Sequence, residues 1–190
     1  MDERVDFSRV IAVSNRRLCS RPFLEQVERV LKLQPKAFLL REKDLAEEEY
    51  VKLAAEVKGL CEAYQVPLIP HFYPEAAQKL KIPVVHLPLW KFQELSGKWK
   101  GKAGVSVHSA DEAKLAQELG ASYITAGHIF ATDCKKGLAP RGLSFLKEVC
   151  GQTDVPVYGI GGIRLDPAQI RTVLENGAAG VCIMSGMMQI

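Results

Sequence analysis

Gly104-Val105-Ser106-Val107-His108-Ser109-Ala110-Asp111-Glu112, running on to Gly120 and then to Tyr123-Ile124-Thr125-Ala126, is the stretch that decides the fold. A short run with β-branched residues comes first. Ser109, with Glu112 three residues on, forms a capping box ahead of the apolar positions Ala113, Leu115 and Leu119, and Gly120 stops the helix. A second apolar run starts almost at once. Strand, capped helix and strand within residues 104–126 make a βαβ unit, the building block of parallel sheets.

The pattern repeats in both directions. Apolar or β-branched runs at Val10 to Val13, Ala37 to Leu40, Pro67 to Ile69, Val84 to Leu87, Gly104 to Val107, Tyr123 to Ala126, Val155 to Ile160 and Val181 to Met184 give eight expected strands. Helical spacing lies between most of them, at Phe23 to Leu31, Ala46 to Tyr64 and Pro167 to Glu175. Eight such units predict an α/β fold of the (β/α)8 TIM-barrel class, a single domain over residues 1–190. The length of 190 residues is short beside the ~250 typical of this architecture. Six residues follow Met184, so the eighth helix is expected to be missing or truncated, and Pro74 to Leu80 and Trp90 to Leu95 allow only short helices. Bare barrel wall beside strands eight and one would be costly, so a partner subunit or the N-terminal segment is expected to cover it, and a homo-oligomer is anticipated.

Composition narrows the function classes. Hydrophobic residues make up 47% and charged residues 25%, with a net charge of +3 and no run of five like charges, which argues against nucleic acid as a partner. No apolar run approaches the ~20 residues a membrane helix needs, and Met1-Asp2-Glu3-Arg4 does not open a secretory signal, so a cytoplasmic location is the expectation. Five scattered cysteines without a Cys-x-x-Cys pair suggest reduced thiols and neither a disulfide framework nor a zinc site.

In a parallel barrel the site lies at the C-terminal ends of the strands. Arg41-Glu42-Lys43 end the second, His71 the third, Ser106 and His108 the fifth, and His128 the sixth. Gly159-Ile160-Gly161-Gly162 ends the seventh and Ser185-Gly186 the eighth, the usual place for a phosphate, which main-chain N–H groups approach closely where no side chain intervenes. Paired glycines also make tight strand-to-helix turns without any ligand. His128 is the candidate acid/base, because an imidazole exchanges protons near neutral pH, and a structural histidine is the competing reading. His86, inside an apolar strand, and His108, before a helix cap, read as structural, and His71 is open. Arg41 and Lys43 point the same way, toward an anion or into a salt-bridged rim. Trp90 and Trp99 read as packing or surface residues. The long connection from Ile129 to Arg141 has the length of a functional loop.

These segments, together with Leu39-Leu40-Arg41-Glu42-Lys43, Gly127-His128-Ile129-Phe130-Ala131-Thr132-Asp133-Cys134-Lys135-Lys136-Gly137 and Met184-Ser185-Gly186, resemble the superfamily of thiamine phosphate synthase and the thiazole tautomerase TenI over nearly the whole chain. Gly127-His128 and Thr132-Asp133-Cys134-Lys135-Lys136-Gly137 have the TenI form, where synthases carry Gly-Pro and a Thr-rich loop. Leu39, His71-Phe72 and Lys91 stand where the synthases place a glutamine, an Asn-Asp pair and an aspartate, so the oxygen ligands of Mg2+ are missing. The resemblance implies a cofactor-independent isomerase of thiamine biosynthesis with no metal, which converts a dihydrothiazole carboxylate phosphate into its aromatic carboxythiazole tautomer. It implies His128 as proton donor, a phosphate held at Gly161, Gly162, Ser185 and Gly186, a loop carrying Thr132, Asp133 and Cys134 closing over the substrate, and Arg41 and Lys43 as further anion contacts. Two other readings stand beside it: thiamine phosphate synthase, a transferase, and a non-catalytic TenI-type regulator.

Overall fold

The computed structural model describes residues 4–95, 97–132 and 137–190. Eight parallel strands, β1 (Val10–Val13), β2 (Ala37–Leu40), β3 (Leu68–Pro70), β4 (Val84–Pro88), β5 (Lys102–Val107), β6 (Tyr123–Gly127), β7 (Val157–Ile160) and β8 (Gly180–Ile183), alternate with helices. These are α1 (Phe23–Leu31), α2 (Glu47–Ala63), α3 (Pro74–Lys79), α4 (Leu89–Glu94), α5 (Ala110–Glu118), α6 (Gly142–Gln152), α7 (Pro167–Glu175) and α8 (Ser185–Met188). The sheet runs β3-β2-β1-β8-β7-β6-β5-β4. Its two edges meet in one isolated parallel bridge between His71 and His86, which makes a nearly closed TIM barrel, as the sequence predicts.

The strands read as continuous apolar runs because both faces are buried. Ile11, Val13, Ala37, Leu39, Ile69, Tyr158 and Cys182 fill the barrel, while the alternate residues Val10, Ala12, Phe38, Leu40, Val181 and Ile183 pack outward against the helix layer. The capping box forms, with Ser109 Oγ accepting from the Glu112 N–H at 3.1 Å, and Glu112 Oε2 reaches back to the His108 N–H at 2.6 Å. Helix α6 follows no side-chain cap. None of the helices among the described residues is long and apolar enough to cross a membrane.

The wall beside β8 and β1 has the truncated eighth helix that the sequence predicts. The eighth helix is present as one turn, and Met187 and Met188 on it are fully buried, each contributing roughly 1.5 to 3 kcal/mol. Gln26 of α1 donates to the Met187 carbonyl at 2.8 Å, and Arg21 reaches both Gln26 and the Ile190 carbonyl. Val5 and Phe7 pack on the same core. All residues of β1 and β8 are buried within one chain, so no second subunit is needed to cover this face.

The barrel interior also holds a polar group. His86 on β4 holds Tyr123 Oη at Nδ1 (2.9 Å) and Ser106 Oγ at Nε2 (2.8 Å), and Thr125 Oγ1 lies 3.2 Å from Ser106 Oγ. His86 is therefore the satisfied core histidine that its sequence position suggests. Gly104 makes room for this layer, since a Cβ there would run into the Tyr123 ring. His71 stacks on His86 with ring centroids 5.9 Å apart. Burial lowers the His86 pKa to about 3, and burial together with the neighbouring His86 lowers that of His71 well below its usual value.

Two outcomes follow from this interior. Gly104→Ala forces a methyl group against Tyr123 and costs about 1 to 3 kcal/mol, measured by urea unfolding; unchanged stability would refute the packing argument. Both imidazoles are held neutral in the fold while the unfolded chain takes up protons below pH ~6.5. Stability is then full above that pH and falls as pH drops toward the folded value of about 3. Between pH 7 and 5.5 the two histidines should remove about 2 to 3 kcal/mol of unfolding free energy. A flat profile over that range would contradict neutral burial.

Candidate active site

A cavity of about 1110 Å³ opens at the C-terminal ends of the strands. Its construction starts at the end of β1, where Ser14 Oγ accepts from the Arg41 N–H at 2.8 Å and donates to Glu42 Oε1 at 2.6 Å. Glu42 is buried, and the Arg16 main-chain N–H (3.1 Å) and guanidinium (3.0 Å) both donate to it. Arg16 also forms a bidentate pair with Asp44 at 2.7 Å, which holds the Asp44 carboxyl down at about 2, and Arg17 donates to Asp44 Oδ2 as well, at 2.8 Å. The rim salt bridges thus use Glu42 and Asp44 with Arg16 and Arg17, while Arg41 and Lys43 line the cavity.

His128 is held from both sides. Ile129 N–H donates to the Ile160 carbonyl and Phe130 N–H to that of Gly161, both at 2.9 Å, and Arg141 N–H donates to the His128 carbonyl at 2.9 Å. This close approach demands the glycines. A Cβ on Gly161 would collide with His128, and one on Gly162 with the Phe130–Ala131 main chain, and both glycines have the positive φ of their turn, +96° and +70°. Gln169 clamps that turn, accepting from the Arg164 N–H at 2.7 Å and donating to the Gly162 carbonyl at 3.3 Å. The tight turn and the cavity lining are therefore two uses of the same residues. The His128 ring is almost wholly buried; Nε2 sits 3.4 Å from the Leu138 carbonyl, and Nδ1 has no hydrogen-bond partner among the described residues. A buried ring nitrogen without a partner is costly unless a ligand or water meets it.

The opposite wall is aromatic. Phe72 follows β3 with φ +72°, an unusual conformation for a bulky residue, and its ring meets Tyr73 and Trp90 edge-on at 5.3 and 6.0 Å. Lys91 Nζ stands 3.9 Å from the centre of the Phe72 ring. Trp90 is 53% exposed at the cavity rim.

The cavity brings together Arg41, Lys43, His128, Thr132, Gly161, Gly162, Ser185 and Gly186. Asp133 and Cys134 lie outside the described residues. His71 and His108 also line it, His108 tied to Glu112 as a structural reading requires. Sequence reasoning did not anticipate Phe72, Tyr73, Trp90, Arg164, Gln169 and Met184 in the lining. The signal for Gln169 and Arg164 was their place just after the glycine turn; Phe72 and Trp90 had none. Among the described residues Glu42 is the one carboxylate in the wall, and it is committed to Ser14 and Arg16. Arg41, Lys43 and Arg164 place cationic side chains in the described lining, which suits an anionic ligand.

A family profile described as thiamine monophosphate synthase, the TMP-TENI family, matches residues 10–187. The putative thiamine-phosphate synthase 2 of Aquifex aeolicus is 34% identical over 97% of this chain and 100% of its own length. The thiamine-phosphate synthase of Clostridium acetobutylicum is 31% identical over 98% of this chain and 89% of its own. Among solved structures, a thiamine phosphate pyrophosphorylase from Pyrococcus furiosus superposes with a TM-score of 0.81 at 26% identity, covering 96% of this chain and 88% of that one. An N-acetylmannosamine-6-phosphate 2-epimerase from Clostridium perfringens, at 14% identity and a TM-score of 0.67, shares the fold. These names are synthase names and do not single out the tautomerase branch. The fold, the cavity at its C-terminal mouth and the match over nearly the whole length agree: this chain belongs to the thiamine monophosphate synthase (TMP-TENI) family of thiamine biosynthesis enzymes.

Proposed function

We propose that the protein is a thiazole tautomerase, an isomerase that uses His128 to convert a dihydrothiazole carboxylate phosphate into the aromatic carboxythiazole ethyl phosphate. The observation that carries this reading is His128 itself, buried in the cavity wall with Nδ1 unpartnered among the described residues. The reaction removes a proton from the saturated ring carbon and returns one at the far end of the conjugated system, leaving an aromatic ring and no change in composition. One imidazole serves both steps, accepting the first proton on a ring nitrogen and donating the second from it. The phosphate is assigned to the turn at Gly161-Gly162 and to Ser185-Gly186, where glycine lets main-chain N–H groups approach. Thr132, Asp133 and Cys134 are assigned to the loop over the substrate, and Arg41 and Lys43 to its negative charge.

The relatives' names favour a second reading, thiamine-phosphate synthase, a transferase joining a pyrimidine pyrophosphate to thiazole phosphate. That reaction calls for Mg2+ held by oxygen ligands. The donor set fits poorly: His71 and Phe72 end β3, Trp90 stands after β4, Glu42 is held by Arg16, and no cluster of acidic, histidine or cysteine side chains that would hold a metal is found among the described residues. Among the described residues, acidic metal ligands are what this reading lacks.

His128→Asn should lower the isomerisation rate about 10² to 10⁴-fold while phosphate binding survives. Pure protein mixed with the dihydrothiazole tautomer should generate aromatic absorbance equally with and without Mg2+. Product formed only with added pyrimidine pyrophosphate and Mg2+ would establish the synthase instead, and full turnover by the His128→Asn variant would remove His128 from the mechanism.

A further inference from the structure

We propose that the floor of the cavity offers a hydrogen-bond donor, the hydroxyl pair of Ser106 and Thr125, whose direction is set by the tautomer of His86, so that ligands are selected for an acceptor atom at their inner end. The inference rests on the cavity as the binding site and deepens the reading above, but not on the direction of proton transfer.

The protons of this network can be counted. Tyr123 Oη and His86 Nδ1 lie 2.9 Å apart, and His86 is the one hydrogen-bond partner of that hydroxyl among the described residues. The phenol keeps its proton, since burial pushes its pKa well above the usual value. With a single acceptor within reach, that proton goes to Nδ1. Burial also keeps His86 neutral, so the ring carries one N–H, and we assign it to Nε2. Nε2–H donates to Ser106 Oγ at 2.8 Å. Thr125 Oγ1 stands 3.2 Å from Ser106 Oγ and 3.4 Å from Nε2. One bond between the two hydroxyls consumes one of their two protons. The other is left over, and both residues line the cavity.

The opposite tautomer would reverse the floor. Ser106 would donate down to Nε2, Thr125 would donate to Ser106, and only lone pairs would face the ligand. Tyr123, half-buried and outside the cavity lining, thus decides whether the floor donates or accepts. It acts as a positioning residue through His86. The matching ligand presents a carboxylate or an unprotonated ring nitrogen, whereas an amino or ammonium group would meet a second donor.

Two measurements test this on the full chain. Nitrogen-15 spectra of the histidine side chains should show His86 with its proton on Nε2; a proton on Nδ1 would overturn the proposal without reference to any ligand. Calorimetry then compares carboxythiazole ethyl phosphate with 2-phenylethyl phosphate, which keeps the phosphate and an aromatic ring but has no acceptor on it. The intact protein should prefer the first by at least about tenfold, the worth of one hydrogen bond to a charged acceptor. Ser106→Ala/Thr125→Val should cut that preference by about tenfold and leave the affinity for 2-phenylethyl phosphate unchanged. A preference undiminished in the double variant overturns the floor donor and leaves the reaction assignment standing. A protein that shows the preference yet does not isomerise the dihydrothiazole supports the floor donor and overturns the reaction assignment.

Discussion

The barrel is closed at its last seam by a main-chain hydrogen bond, Phe72 N–H to the His86 carbonyl at 2.9 Å, beside the single bridge between His71 and His86. The neighbouring strand pairs each have a register of three to five residues. The seam has one, and it lies at the mouth where the site forms. Tyr50 reinforces it from α2, donating to the Leu40 carbonyl at 2.6 Å and accepting from the His71 N–H at 2.8 Å. Closing here presses two imidazoles together inside the barrel and turns Phe72 into a left-handed conformation that delivers its ring to the rim. The neutral interior and the aromatic wall share this cause.

Across the barrel a different constraint prevails. The segment after β6 crosses the end of β7 so closely that neither Gly161 nor Gly162 tolerates a side chain. The result is a histidine whose main chain is tied at its own carbonyl and at the two following N–H groups, with a ring nearly sealed from solvent. Rigid placement of this kind suits proton transfer, where small displacements are expensive.

Much of this was legible in the chain. Apolar runs located all eight strands, and α1 and α7 have the limits their spacing predicts, because a strand buried on both faces and an amphipathic helix each write a distinct period. Strand ends shifted where proline intervened. Pro67 and Pro156 contribute carbonyls that accept from Phe38 and Ile124 but have no N–H to give, so β3 starts at Leu68 and β7 at Val157. Helix α6 carried no capping residue and left no mark. In the site, glycines, cations and His128 were readable from their positions after strands. Glu42 was not, since its partners Ser14 and Arg16 lie 28 and 26 residues away in sequence, and its place in an Arg-Glu-Lys run looks like solvent-exposed rim. Phe72 reaches the cavity through a backbone turn that side-chain pattern does not encode.

The pairing of β1 with β8 also bears on how the chain acquires its shape during synthesis. β1 is the first strand to leave the ribosome, yet one of its two neighbours spans Gly180–Ile183, and α1 is capped from beneath by Met187 and Met188. Until those residues emerge, β1 has an unpaired edge and the Val27, Val30 and Leu31 face of α1 lacks its full cover. The nascent polypeptide therefore carries exposed apolar surface from the emergence of β1 to that of β8, and the barrel closes only as translation reaches β8.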